Sequence, residues 1–303
     1  MTAVFVIILA VLLDMWLGEP RQWHPLVAFG RLAQGIEKRL HGGPAGDNSL
    51  RGGWAVVIAV VPWIGLAWLL TLNETMALLV EVLLLYLAIG GSSLAQHGRA
   101  VADALSLGDL PLARQRVGWM VSRDTEQLDS AGVARSAVES VLENGNDALF
   151  GALFWFLLLG APGVVMYRLV NTLDAMWGYR TERYLQFGFT TAKLDDLLNW
   201  VPARLTALSY ALAGDTSRGW RCWRTQGHRT DSPNGGVVMA TGAGALGLQL
   251  GGPTSYHGVL SDKPLLGEGG GARGQDIYRA IRLVQRALLI WLVVISVVGV
   301  WFG

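Results

Sequence analysis

WAVVIAVVPWIGLAWLLTL (Trp54–Leu72), a turn at Asn73–Thr75, and MALLVEVLLLYLAIGGSSL (Met76–Leu94) together decide the fold. A helix needs about 20 mostly apolar residues to cross the hydrocarbon of a bilayer, and both runs reach that length. VQRALLIWLVVISVVGVWF (Val284–Phe302) is a third such run, and Thr2–Leu17 a shorter fourth. The expectation is an all-α, polytopic integral membrane protein: one domain over 1–303, four to six membrane-embedded helical segments and cytoplasmic helical loops.

Composition points the same way. The chain has 303 residues, 52% hydrophobic and 16% charged, with a mean hydropathy of +0.38. Soluble domains carry about 25% charged residues. A formal net charge of +1 gives no electrostatic footprint for nucleic acid, so the partner expected from composition is the lipid bilayer. Cys222 is the one cysteine, which excludes an internal disulfide and reads as packing. The first residues, TAVFVIILAVLLDMWLGEP, lack a basic n-region and a small-x-small cleavage site, and are expected to be a retained span.

Lys and Arg placement sets the orientation, because cytoplasmic loops carry the excess. Arg21, Arg31, Lys38, Arg39 and Arg51 follow the first span; Arg99, Arg114, Arg116, Arg123 and Arg135 follow the third. The N-terminus is therefore expected outside, with both loops in the cytoplasm. Ala148–Val170 is apolar but interrupted by Gly160-Ala161-Pro162-Gly163, and basic residues from Arg180 to Arg229 follow it. A re-entrant hairpin broken at Ala161-Pro162-Gly163 accounts for both facts; two full crossings, with Leu197–Ala213 as the second, would put a basic 171–196 loop on the wrong side. Leu197–Ala213, with Pro202 and Arg204, reads as half-buried or interfacial. His41–Ser49 and Gly267–Gln275 read as surface loops.

A polar block from 121 to 204 stands out in this oily chain and is the candidate active site. Glu139, Glu143 and Asp147 recur every four residues, so a helix would set them on one face. They could hold Mg²⁺, which prefers oxygen ligands shared with substrate phosphates, or form a solvated face with an Arg135–Glu139 pair. Asn171, Thr172, Asp174, Asp195 and Asp196 add oxygen donors. Arg123, Arg180, Lys193 and Arg204 are interspersed cations, and the Arg forks suit phosphate or carboxylate. Such an alternation fits Mg-nucleotide chemistry without a P-loop. Gly242-Ala243-Gly244-Ala245-Leu246-Gly247 matches G-x-G-x-x-G, but MATGAGALGLQLGG suits close helix packing better, including Gly247–Gly251 as a small-xxx-small pair. No histidine spacing suggests zinc, and His24 before Pro25 reads as a turn element. Glu81 inside an apolar span is either functional or a partner-bonded packing residue. A transporter would need internal repeats, and none is evident.

The motifs, in order, resemble the adenosylcobinamide-phosphate synthase family of cobalamin biosynthesis, the CobD/CbiB group. They run from Asp14, Gly18-Glu19-Pro20 and His24-Pro25 through Arg123-Asp124-Thr125 with Asp129, then Glu139-Ser140-Val141, Glu143-Asn144 and Asp147. Asn171-Thr172-Leu173-Asp174, Gly178-Tyr179, Leu194-Asp195-Asp196 and Val201-Pro202-Ala203-Arg204 follow. Pro233-Asn234, Leu250-Gly251-Gly252-Pro253, Tyr256 with Gly258, and Lys263-Pro264 close the series. The resemblance implies a bacterial inner-membrane, ATP- and Mg²⁺-dependent ligase joining adenosylcobyric acid to an aminopropanol phosphate, with a corrinoid carboxylate activated as an acyl phosphate before the amine attacks. It suggests Glu139, Glu143, Asp195 and Arg123 as catalytic residues. Arg180, Lys193, Arg204, Asn171 and Asn234 would bind nucleotide, and Glu143, Asp147, Asp174 and Asp196 would bind metal. A homo-oligomer stays open. The chain departs from the family's Asn-Ala-Gly-Trp-Pro-Glu-Ala at Asn234–Ala240, with Met239 in the acid's place; Ser122 and Ala152 replace a frequent Gly and Pro. The alternative is a non-catalytic membrane protein or transporter of the AmpE-like group.

Overall fold

The computed structural model describes residues 2–20, 24–43, 48–256 and 259–302. Arg21, the 44–47 part of the His41–Ser49 loop, His257 and Gly258 lie outside them, as does the side chain of Tyr256. The structure is helical, and among the described residues four stretches are long and apolar enough to cross a membrane: 48–71, 74–106, 130–177 and 274–301. The protein is a multi-pass helical membrane protein. Its packing divides into two units, one built from Met1–Gly90 with Gly151–Asn199, the other from Gly91–Phe150 with Trp200–Phe302.

The first unit holds α1 (Thr2–Leu17), α2 (Pro25–Leu40), α3 (Asn48–Thr71), α4 (Glu74–Ala88), α8 (Gly151–Trp177), α9 (Tyr184–Phe187) and α10 (Phe189–Leu198). Lipid is as apolar as Leu, so helices in a bilayer associate through close packing of small residues. Accordingly α3 buries Gly52, Ala55, Ala59 and Ala67 and turns Trp54, Trp63, Trp68 and Leu69 outward. The expected span Met76–Leu94 stops early. Ile89 takes an extended conformation as the C-cap of α4, and a new helix begins at Gly91.

α8 is a hairpin of two helical arms. Straight, it would hold residues 151 and 167 about 24 Å apart at 1.5 Å per residue. Instead, a Cβ on Gly151 would come within 2.1 Å of Tyr167 Oη. The reversal is at Gly160 (φ 63°, ψ −149°), a backbone region open essentially to Gly alone. The expected break was Ala161-Pro162-Gly163. Pro162 instead sits in the first turn of the returning arm, where its missing N–H costs nothing. Glu81 belongs to this turn: its Oε1 lies 3.6 Å from where a Cβ on Gly160 would stand.

The second unit holds α7 (Ser130–Gly145), α5 (Gly91–Ser106), α6 (Leu110–Gly118), α11 (Trp200–Ala213), α12 (Thr216–Gln226), α13 (Gly235–Leu246) and α14 (Gly274–Phe302), with α5, α6, α13 and α14 packed on α7. Asp129 caps α7 by accepting from Gly132 N at 2.7 Å. The helix ends in a π-turn at Asn146–Phe150. There the Asn146 N–H bonds Glu143 O instead of Leu142 O, and Tyr210 Oη donates to the released Leu142 carbonyl at 3.0 Å.

One reading is corrected outright. Gly247–Gly251 is not a helix-packing pair: Gly247 (φ 69°) ends α13 as its left-handed cap. Leu248–Tyr256 and Val259–Gly267 then form an antiparallel hairpin, β1–β2, with a bulge between Leu250 and Gly252. β3 (Gly270–Gly271) pairs with β1 in parallel, inside the expected surface loop. Leu248 and Leu250 are buried and Gln249 exposed, an alternation too short to stand out beside so many glycines. The glycine-rich packing read for α13 itself is present, with Gly242 against Leu142 and Gly244 against Cys222.

Candidate functional site

In the second unit, Arg123 and Glu139 form a buried ion pair, Nη2 to Oε2 at 2.6 Å, with both side chains under 10% exposed. Arg123 Nη1 also donates to Ser136 Oγ at 3.2 Å. The other Glu139 oxygen accepts from Gly251 N at 2.8 Å, at the bulge of β1, where φ is 81°. Ser255 Oγ donates to Asp124 Oδ2 at 2.7 Å, and Arg135 Nη2 donates to Pro253 O at 3.2 Å. These contacts fasten the hairpin to α7. They also replace the Arg135–Glu139 pair considered from spacing.

Glu143 lies one turn further along α7 and meets the start of α13. A Cβ on Gly235 would stand 2.5 Å from Glu143 Oε1, so the glycine leaves room for that carboxylate. Beside Gly235, buried Asn234 accepts from Arg204 Nη1 at 2.8 Å. Arg204 also donates to Pro233 O at 3.2 Å and stacks 4.4 Å over Trp200. A cavity of about 440 Å³ opens here, lined by Arg204, Arg224, His228, Thr230 and Asp231 among others. Asp147 falls in the π-turn, where Asn146 Nδ2 donates to it at 2.9 Å. Glu139, Glu143 and Asp147 therefore turn to three different sets of partners, because the first is claimed by Arg123 and the π-turn displaces the last. Among the described residues, no three His, Cys, Asp or Glu side chains are grouped to hold a metal ion.

In the first unit, α8 and α10 bring two distant motifs together. Asn171 Nδ2 donates to Asp195 Oδ1 at 3.2 Å, and Asn199 Nδ2 donates to Asp195 Oδ2 at 3.1 Å. Tyr167 holds Asn199 through a bond of 2.9 Å. Asp195 and Asp196 both lie near enough to Asp174 for their charges to act on it. Lys193 Nζ is 3.6 Å from Asp196 Oδ2. Gly178 is required beside this group, since a Cβ there would fall 2.0 Å from Asp174 Oδ1. Arg180 is exposed in the segment after α8.

Sequence reasoning missed Arg168, which donates to Asn171 Oδ1 at 3.2 Å, and Asn199. It also missed Glu37, which accepts from Arg183 at 2.7 Å and from Tyr184 at 3.1 Å. A lone charge in an apolar run was the available signal for Arg168; nothing singled out the others. His24 is the expected turn element: it caps α2, with Nδ1 accepting from Leu26 N at 3.2 Å. Burial holds its pKa below the ordinary value. Cys222 is buried, and burial pushes its thiol up to about 11.

The family model of the CobD/Cbib protein matches residues 7–284. The chain belongs to this family. The cobalamin biosynthesis protein CobD of Chromobacterium violaceum is 56% identical over 288 residues, 93% of this chain and 92% of its own. The protein of that name in Stutzerimonas stutzeri is 56% identical over 286 residues, 94% of each chain. That of Mycobacterium tuberculosis is 38% identical over 289 residues, 92% of this chain and 91% of its own. No solved structure matches. A CobD/CbiB chain is a cobalamin biosynthesis protein, and both polar groups above are built from the motifs that carry the resemblance.

Proposed function

We propose that this protein is the ligase of its family. It would join the carboxylate of adenosylcobyric acid to the amine of (R)-1-amino-2-propanol O-2-phosphate with consumption of ATP, at the cytoplasmic face of the inner membrane. The observation that carries the proposal is the closure of Asn171-Thr172-Leu173-Asp174 onto Leu194-Asp195-Asp196, motifs some twenty residues apart. Hydrophobic packing gives no reason to gather three carboxylates, and like charges held together repel.

The donor set suits Mg²⁺, a hard cation that takes one or two carboxylates and completes its shell with water and phosphate oxygens. Asp174 and Asp196 would hold it, and Asp195, fixed by two side-chain amides, would orient Asn171. Bound there, Mg²⁺ would neutralise charge on a triphosphate. Lys193 supplies a mobile cation for phosphate. In the second unit, Arg204 and its cavity offer a cationic pocket within the usual ligand range of about 300–1,000 Å³. Within the same unit Glu143, on α7 facing the start of α13, is the carboxylate offered as proton acceptor for an ammonium bound there. Arg123 and Glu139 satisfy each other and act as positioning residues.

The test is product formation by purified protein given ATP, Mg²⁺, adenosylcobyric acid and aminopropanol phosphate. Glu143→Ala and Asp195→Ala should each abolish product while the protein stays monodisperse in detergent. Full activity in both variants would remove the reading.

A further inference from the structure

The first unit contains a cavity of about 520 Å³ between α2, α3, α4 and α8, walled almost wholly by side chains such as Trp63, Leu66, Leu84 and Leu87. Trp63, Leu66 and Leu70 are each more than 40% exposed, so it opens outward along α3. Two polar residues line it, His24 and Arg168. Arg168 is a cation whose Nε is buried without a hydrogen-bond partner among the described residues, which is costly for a charged donor. The N-terminus of α2 is at the same end, since His24 is its cap, and adds positive potential. Glu19 lies 3.6 Å from His24 Nε2, and burial keeps that imidazole below its ordinary pKa. Among the described residues lining the cavity, the fixed positive charge is therefore Arg168.

We propose that this cavity is a phospholipid site, one acyl chain lying among the leucines and the phosphodiester meeting Arg168. The apolar wall selects a chain, the guanidinium selects a phosphate, and the bilayer supplies molecules carrying both. A soluble phosphate would leave the apolar volume unfilled, and a neutral diacylglycerol would leave the Arg168 Nε–H without an acceptor.

Native mass spectrometry of the delipidated full chain tests this, with dioleoylphosphatidylglycerol and dioleoylglycerol added back separately. One phosphatidylglycerol should bind at least about tenfold more tightly than the diacylglycerol, and excess inorganic phosphate should not displace it. Arg168→Gln should bring the two lipids within about twofold, Arg168→Lys should keep part of the preference, and Leu84→Trp, which fills the cavity, should weaken both. Equal binding of the two lipids by the unaltered chain, or a preference untouched by Arg168→Gln, would overturn the proposal. So would displacement by phosphate, or undiminished binding in a monodisperse Leu84→Trp protein.

Discussion

Arg123–Glu139 in the second unit and Asp174–Asp195–Asp196 in the first are both polar groupings on membrane-protein helices, and they are balanced in opposite ways. The first sets one cation against one anion and adds a serine hydroxyl and a backbone N–H. The second brings Asp195 and Asp196 within reach of Asp174, with Lys193 3.6 Å from Asp196. A closed grouping serves the fold, because every charge in it is answered by the chain. A grouping of neighbouring acids carries mutual repulsion, which the proposed Mg²⁺ would relieve.

The largest effect that can break this comparison is loss of one partner of the closed pair. Glu139→Ala strands Arg123 at a buried position and should destabilise the protein by about 3–5 kcal/mol, read by thermal unfolding in detergent. Replacing both residues with apolar side chains of similar volume should recover most of that. A small effect from Glu139→Ala would mean that water reaches the pair.

The open grouping should respond with the opposite sign. Asp174→Asn removes a like charge and should raise stability by about 0.5–2 kcal/mol, while product formation falls by about 10- to 100-fold. A variant that is both less stable and fully active would show the acids to be structural, and the contrast between the units would fail.

The same contrast governs what was legible in sequence. Apolar runs announced α1, α3 and α14 because lipid imposes a composition, and Gly-Ala-Pro-Gly announced a reversal because few residues tolerate one. Acid and amide motifs announced both polar groupings. Which carboxylate would pair with an arginine and which would lie beside other acids was hidden, since Arg123 and Gly251 reach Glu139 from 16 and 112 residues away. The β-hairpin was hidden because its pattern survives in only three residues, Leu248-Gln249-Leu250. The π-turn was hidden because the hydroxyl that stabilises it, on Tyr210, comes from another helix.

That hydroxyl gives an intermediate effect. Tyr210→Phe removes the buried hydrogen bond to the Leu142 carbonyl and should cost about 1–3 kcal/mol, with the helix relaxing toward an ordinary α-turn. Amide hydrogen exchange at Asn146–Phe150 would register the change. Unchanged protection there would mean the π-turn is held by neighbouring packing.

The smallest effect tests whether the second unit is as closed as its ion pair suggests. Cys222 lies against Gly244, and burial, with the Glu268 carboxylate adding to it, pushes its thiol from 9.0 to about 11. The thiolate is the species that alkylates, and two units of pKa leave about 100-fold less of it at pH 8. Iodoacetamide should therefore label the folded protein at least about 100-fold more slowly than the unfolded chain. The unfolded thiol loses its proton first as pH rises, so this group leaves stability unchanged below pH 9 and lowers it between pH 9 and 11. Labelling at the unfolded rate, with the protein still folded, would show the α12–α13 contact opening freely. Arg204 and its partner Asn234, at the start of α13, would then lose the rigid support that their proposed role in binding phosphate requires.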